Sequence, residues 1–520
     1  MRAPVKSGAQ GRAYSFQPPV RGWISNEALA NSKQGGARRL DNWFPTLTSV
    51  RVRGGSQLYA TVSTGPVLRM FTYKSGSQEI FFASDATSIF DITTVADSAV
   101  IPTADVTGQT SGYYSTAQFG TAGGDYLSIC NGTDTPKYFD GTSWTNHAFT
   151  VIPSAATLNF VWSFASRLWY IQKDSMKAWY LPVDSINGAL TEFSLAGVFQ
   201  EGGSLVFGGK WSLDAGSGLD DKCFFVSSTG EVAVYEGSDP SSATTWSKVG
   251  IYKITPPLGP NAVMMAGGEP LIASVVGIVP LSQAINKDIA ALSLAAISKQ
   301  IEPDWKIEVV ARKSLPWEII KWPTNNMMVV SLPVPNDGVD AYCFVANLET
   351  GAWARFTGWD TRCLAMFSDR GYFGTNDGTI YAMEQGGSDG GSPYTATYVG
   401  LPDHMRTPGA HKIVHAARST FLANASFNAR VSASVNYQIT LPSAPSSIAD
   451  YTTDEWDSGE WDVALWDSTS ASTVSTKWQS VGRSGFVVSP QIQITCAITP
   501  YPRIELIASD VIYEAGGVMV

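Results

Sequence analysis

The chain reads as an all-β protein: a β-propeller followed by a C-terminal β-sandwich or barrel-like platform domain, with one amphipathic helix near residues 282–302. Three observations predict this. The first is hairpin chemistry. Ser227-Ser-Thr-Gly-Glu-Val-Ala-Val-Tyr-Glu-Gly-Ser-Asp-Pro240 sits between apolar Cys223–Val226 and the run from Trp246 to Ile254. Short apolar runs broken by Gly, Asp-Pro and Ser clusters are strands joined by tight turns. The second is recurrence. Trp144, Trp246 and Trp353 each follow a polar turn and lie 102 and 107 residues apart. Blades of WD40 and kelch propellers take roughly 40–50 residues, so each interval holds about two. The third is composition: charged residues are only 15%, beside 12% aromatics and 48 glycines, which suits a β-rich structural protein better than a helical enzyme. The rival is a sandwich whose tryptophans recur by chance. The cues return from residue 67 to residue 400, which favours the propeller.

With 520 residues the chain holds two or more domains, or one large propeller with an appendage. Residues 1–41 form a basic arm in which Pro18-Pro19 and Gly35-Gly36 forbid long regular structure. Such an arm is disordered or extended along a neighbour. Residues 1–60 carry nine Lys or Arg against two acids, so a total of −10 leaves −17 for the remainder. An acidic body would repel nucleic acid, while the arm would seek an acidic surface. Trp43 belongs to a compact aromatic anchor, Asn42-Trp-Phe-Pro45, and Val50-Arg-Val-Arg then alternates as a strand. Arg12, Arg21, Arg38, Arg39, Arg51 and Arg53, with Trp43, are the candidate docking residues.

The propeller is expected over 42–385. Leu68–Tyr73, Glu79–Ala83 and Ser88–Ile92 make a blade-like unit, and the pattern repeats at 126–139, 160–181 and 204–235. Beyond Gly277-Ile-Val-Pro-Leu-Ser282, the residues Ala284, Ile285, Ile289, Leu292, Ala296 and Ile301 fall near helical spacing, with Ser282 as N-cap and Pro303 as terminator. A helix among strands is expected to pack on a propeller face. Strands resume at 317–347 and 364–383. The Gly/Ser-rich stretch 386–392 reads as a flexible linker.

Residues 393–520 read as the platform domain, with strands at 395–399, 412–421, 428–438, 476–481, 489–498 and 504–513. Between them lies a long loop, 443–475. It holds Asp450, Asp454, Glu455, Asp457, Glu460, Asp462 and Asp467 without any Lys or Arg, and Trp456, Trp461 and Trp466 at five-residue spacing. It is either a decorated surface loop or a docking and channel-lining element. Three tryptophans are costly to leave in water, which tips the balance towards an interface.

Catalytic chemistry is sparse. His411 and His415 stand four apart around Lys-Ile-Val, without the Glu of a zinc-protease helix. His147 and His404 are isolated. No Walker A, G-x-S-x-G or dinucleotide fingerprint sits in a strand–turn–helix context. No cofactor, metal or catalytic residue is nominated, and the reading is non-enzymatic. The five cysteines are widely spread and odd in number, which suggests reduced, buried thiols. No apolar leader segment opens the chain, and no run reaches the ~18 apolar residues that span a bilayer.

Leu40-Asp-Asn-Trp-Phe-Pro-Thr-Leu-Thr-Ser-Val-Arg-Val-Arg-Gly-Gly55 resembles the opening of tail tube proteins of short-tailed bacteriophages, the tail hub or nozzle proteins. Val232–Pro240 with Trp246 and Gly250-Ile-Tyr, Gly277–Ser282 with its helix, and Gly351-Ala-Trp-Ala-Arg-Phe356 extend the resemblance from residue 40 to about 385. These motifs are structural. The resemblance implies a homo-hexameric ring below the portal and head–tail adaptor, an outer propeller on a platform around the channel, and contact with tail fibres or spikes. It implies retention of packaged DNA and its passage without specific binding, in a virion made in the host cytoplasm. The alternatives are a tail-associated propeller glycosidase or carbohydrate-binding protein, and a cytoplasmic propeller scaffold. The acidic loop matches no motif of that family.

Overall fold

The computed structural model describes residues 11–29, 34–212, 221–286, 288–335, 340–424, 427–447, 472–497 and 503–518. Among them, seven propeller blades follow one another along the chain: six are separate small sheets, and blade 6 (Ile319–Trp322, Met327–Val330, Tyr342–Asn347 and Trp353–Thr357) is one half of an eight-stranded sheet. Blade 1 is Arg69–Ser75, Gln78–Ser84, Ile89–Asp91 and Ala104–Val106. Blades 2, 3 and 4 begin at Ser115, Leu158 and Leu205 and have four strands each. Their turns obey the expected chemistry. In blade 4, Gly230 takes φ +91°, and a Cβ there would fall 2.2 Å from the Ile254 carbonyl oxygen. Trp144, Trp246 and Trp353 each open the fourth strand of blades 2, 4 and 6. Each interval between them is therefore two blades, as their spacing predicts.

Blade 5 has three strands, Val263–Ala266, Glu269–Ser274 and Gly277–Pro280. Helices follow where a fourth strand would come: α1 (Leu281–Asn286), α2 (Ile289–Ala295) and α3 (Glu302–Arg312). The single helix expected near 282–302 is thus several short ones, and Pro303 opens α3 instead of ending a helix. Proline is at home in the first helical turn, where its missing N–H has no partner to lose. Trp305, Glu308, Val309 and Arg312 form the buried face of α3.

Blade 7 joins the chain's beginning to its later part. Cys363–Phe367, Arg370–Gly374 and Thr379–Met383 are completed by Ser56–Thr61, antiparallel to the last of them. The innermost strand of blade 7 lies against that of blade 1, which closes the ring.

The platform grows out of blade 6. Its outermost strand, Trp353–Thr357, pairs in parallel with Ala37–Asp41, and the sheet runs on through Tyr394–Gly400, Val488–Cys496 and Ala429–Val435. A second sheet is built on two long strands, Ala410–Ala423 and Ile504–Val518, flanked by Arg12–Phe16, Trp43–Pro45, Val50–Val52, Ser472–Ser475 and Gln479–Gly485. Phe16, Val414, Val431, Val488 and Val511 pack between the two sheets.

Three expectations change here. The 1–41 segment is a working part of both platform sheets from Arg12 onward, because its alternating side chains bury Phe16, Ala37 and Leu40. The 386–392 stretch is tied down by backbone bonds from Ser56 N to Ser388 O and from Asp389 N to Ser392 O. Its glycines serve turns and close approaches. The long loop also ends earlier than expected, since Ser472–Ser475 pairs with the 410–423 strand.

Candidate functional site

Propeller and platform meet at Asn42. The chain leaves one platform sheet at Asp41 and enters the other at Trp43. It turns through a left-handed residue, Asn42 at φ 62°, a conformation that asparagine tolerates better than most. The Asn42 Oδ1 accepts the Thr357 amide at 2.8 Å, and its Nδ2 donates to the Thr395 carbonyl at 2.9 Å. Asp41 beside it receives Arg355 through two bonds, at 2.8 and 3.0 Å.

Arg53 is the centre of this junction. Its side chain is fully buried. All five guanidinium hydrogens are engaged: Nε with Asn42 Oδ1, Nη1 with the Gly54 carbonyl and Asp389 Oδ1, Nη2 with the Thr357 carbonyl and Asp389 Oδ2. The Tyr394 and Trp359 rings lie 4.0 and 4.7 Å from its carbon. Burial by itself would lower the Arg53 pKa; the hydrogen bonds and charge of Asp389 outweigh it, and the cation is held. Gly55 passes so close to the 384–389 segment that a Cβ would lie 2.1 Å from the Ser388 oxygen.

The candidate docking residues are dispersed by this arrangement. Arg53 and Trp43 are interior. Arg51 pairs with Glu384 at 2.7 Å and Arg21 with Glu27 at 2.6 Å. Arg39 pairs with Asp41, and Arg38 donates to the Tyr437 carbonyl at 2.7 Å. Arg12 is exposed on the rim of a cleft beside Tyr14 and Arg406. The acidic loop residues Asp450, Asp454, Glu455, Trp456, Asp457, Glu460, Trp461, Asp462, Trp466 and Asp467 lie outside the described residues. His147, isolated in sequence, is a buried bridge: one ring nitrogen meets Ser128 Oγ at 2.9 Å and the other the Ile186 carbonyl at 2.7 Å. Burial lowers its pKa to about 4. No group of three His, Cys, Asp or Glu among the described residues is placed to hold a metal, and no helix there is long and apolar enough to cross a membrane.

A cleft of about 730 Å³ opens beside the junction. One wall is the 44–51 hairpin and the start of the last long strand. The other is made of turns from blades 6 and 7. Its floor is fixed: Trp322 Nε1 donates to the Asp369 carbonyl at 2.8 Å, and Asn347 Nδ2 to the Pro45 carbonyl at 3.0 Å. Three arginines (Arg51, Arg370, Arg503) and four carboxylates (Glu349, Asp369, Glu384, Glu505) face it. Asn326, Asp369 and Glu384 hold positive φ angles of 50°, 58° and 56°. Sequence reasoning missed this cleft, whose walls come from widely separated segments without a local motif.

No family model matches the chain, and no curated protein matches it. Solved propellers resemble it at low identity. YCF48 from Cyanidioschyzon merolae shares 10% identity at a TM-score of 0.37, over 64% of this chain and 98% of that one. The WD40 β-propeller domain of Doa1 shares 12% at 0.37, over 64% and 97%. Saccharomyces cerevisiae Sqt1 shares 12% at 0.39, over 64% and 99%.

Proposed function

We propose that this β-propeller protein is the tail nozzle or hub subunit of a short-tailed phage: a structural ring component that continues the portal–adaptor channel, retains packaged DNA and conducts it during ejection. One observation supports the reading above others. Two stretches that resemble that family, 40–55 and 351–356, interlock in space although some 300 residues separate them. Asp41 pairs with Arg355, while Asn42 and Arg53 bond on either side of Thr357. A subunit that carries an outer propeller on a ring-forming platform needs a stiff elbow, and these residues make one.

Charge fits the same role. A conduit should not grip DNA, since each phosphate neutralised by Lys or Arg adds salt-dependent affinity. A body of −17 outside the first 60 residues would let it slide. The role requires no catalysis. Arg12 is the exposed member of the docking set best suited to an adaptor.

The test is native mass spectrometry and cryo-EM of the full chain, alone and with adaptor-capped heads. A closed ring with an axial bore, six subunits by expectation, supports the proposal. A chain that stays monomeric and ignores adaptor-capped heads overturns it, as would a ring with a basic lumen.

A further inference from the structure

We infer that the cleft between the 44–51 hairpin and the turns of blades 6 and 7 is a binding site for a neutral oligosaccharide. Its volume, about 730 Å³, lies within the range of small-molecule sites. Its walls are held by the bonds described above, and the hairpin tip is locked by Thr46 N to the Ser49 carbonyl at 2.9 Å. A site with fixed walls loses little order on binding.

The chemistry of the lining selects the ligand. Cations and carboxylates face the space in nearly equal number, so it offers no strong net field to an anion or a cation. No ion pair engages Arg370, Arg503 or Glu349 among the described residues. The Glu384 side chain is only 7% exposed; Oε2 takes Arg51, while Oε1 is buried without a hydrogen-bond partner. That oxygen is sealed from solvent, so the groups a ligand meets are the exposed Glu349, Asp369 and Arg370. A hydroxyl donates and accepts at once, and neighbouring hydroxyls on a sugar meet alternating guanidinium and carboxylate groups with both functions used. Leu47, 61% exposed at the rim, offers an apolar surface to the C–H face of a ring. This inference does not rest on the phage reading.

Saturation-transfer NMR and calorimetry on the full chain test it, with malto-, cello- and chitotetraose as probes and sodium sulfate as the anion control. One tetraose should bind. Arg370→Ala and Glu349→Ala, both at exposed positions, should each weaken that binding about tenfold, the loss expected for one charge-assisted hydrogen bond. Their thermal midpoints should stay unchanged. Failure of all three sugars to bind overturns the inference. So does sugar binding that survives both substitutions, or sulfate binding that Arg370→Ala abolishes while the sugars do not compete.

Discussion

The interior of blades 3 and 4 and the junction at Arg53 are equally buried, yet they are held by opposite means. Trp169 of blade 3 stacks across on Trp246 of blade 4 with centroids 5.7 Å apart, and each ring is backed within its own blade, by Trp162 at 5.8 Å and by Tyr235 at 5.6 Å. Such contacts are broad and only weakly directional. They let neighbouring blades settle at whatever angle closes the ring. At the junction, a fork of five donors meets acceptors from four segments of chain, which fixes a single relative orientation. The propeller is packed for closure and the elbow is bonded for angle.

The most severe way to break this contrast is Arg53→Ala. It leaves Asp389 largely buried without its partner, at a cost of about 3–5 kcal/mol. Scanning calorimetry should show the platform and propeller melting apart. Arg53→Lys should rescue little, because an ammonium cannot reproduce the fork. Good rescue by lysine would mean that charge alone holds the elbow.

The second test concerns the polar group inside the propeller. His147 titrates near 4 when folded and near 6.5 in an unfolded chain. Between those values the unfolded state binds the proton and the folded state does not, so stability falls as pH drops from about 6.5 to about 4, by about 3 kcal/mol in all. Urea midpoints at pH 7.5 and pH 5 read this directly. His147→Gln should lower the first midpoint and shrink the difference between the two.

A gentler probe is Trp246→Phe. The smaller ring keeps an aromatic face in a loosely directional stack, so the loss should stay below the roughly 3–5 kcal/mol of a full truncation to alanine. A loss as large as that of Arg53→Ala would erase the distinction drawn above. The smallest effect belongs to Lys306→Ala on the outer surface of α3. Its pair with Glu302 is exposed, and its removal should move stability by no more than about 0.5 kcal/mol.

The propeller was legible because its signal is local and repeated. Trp144, Trp246 and Trp353 mark the same place in alternate blades, and Gly-containing turns separate the strands. The elbow was not. Asp389 lies in Gly-Gly-Ser-Asp-Gly-Gly, where composition speaks only of freedom, and its partner stands 336 residues earlier in sequence. The alternation of Val50-Arg-Val-Arg assigns both arginines to one face. The strand stops at Val52, however, so Arg51 reaches Glu384 while Arg53 turns into the core. Pro303 was ambiguous on physical grounds, since proline both ends helices and begins them. The basic arm looked free because net charge does not say which cation meets which acid: Arg21 pairs with Glu27, Arg39 with Asp41 and, just beyond the arm, Arg51 with Glu384.

The closure of blade 7 by Ser56–Thr61 has a consequence for how the molecule is made. A ribosome delivers that strand early, and its partner Thr379–Met383 follows only after residues 62–378. At about 5–20 residues per second, the early strand waits about 15–60 s with an open edge. Arg12–Phe16 waits longer still, for the strand that ends at Val518. A nascent chain halted before residue 504 therefore leaves Arg12–Phe16 unpaired at its N-terminus, together with one edge of Ala410–Ala423 nearer the point of arrest.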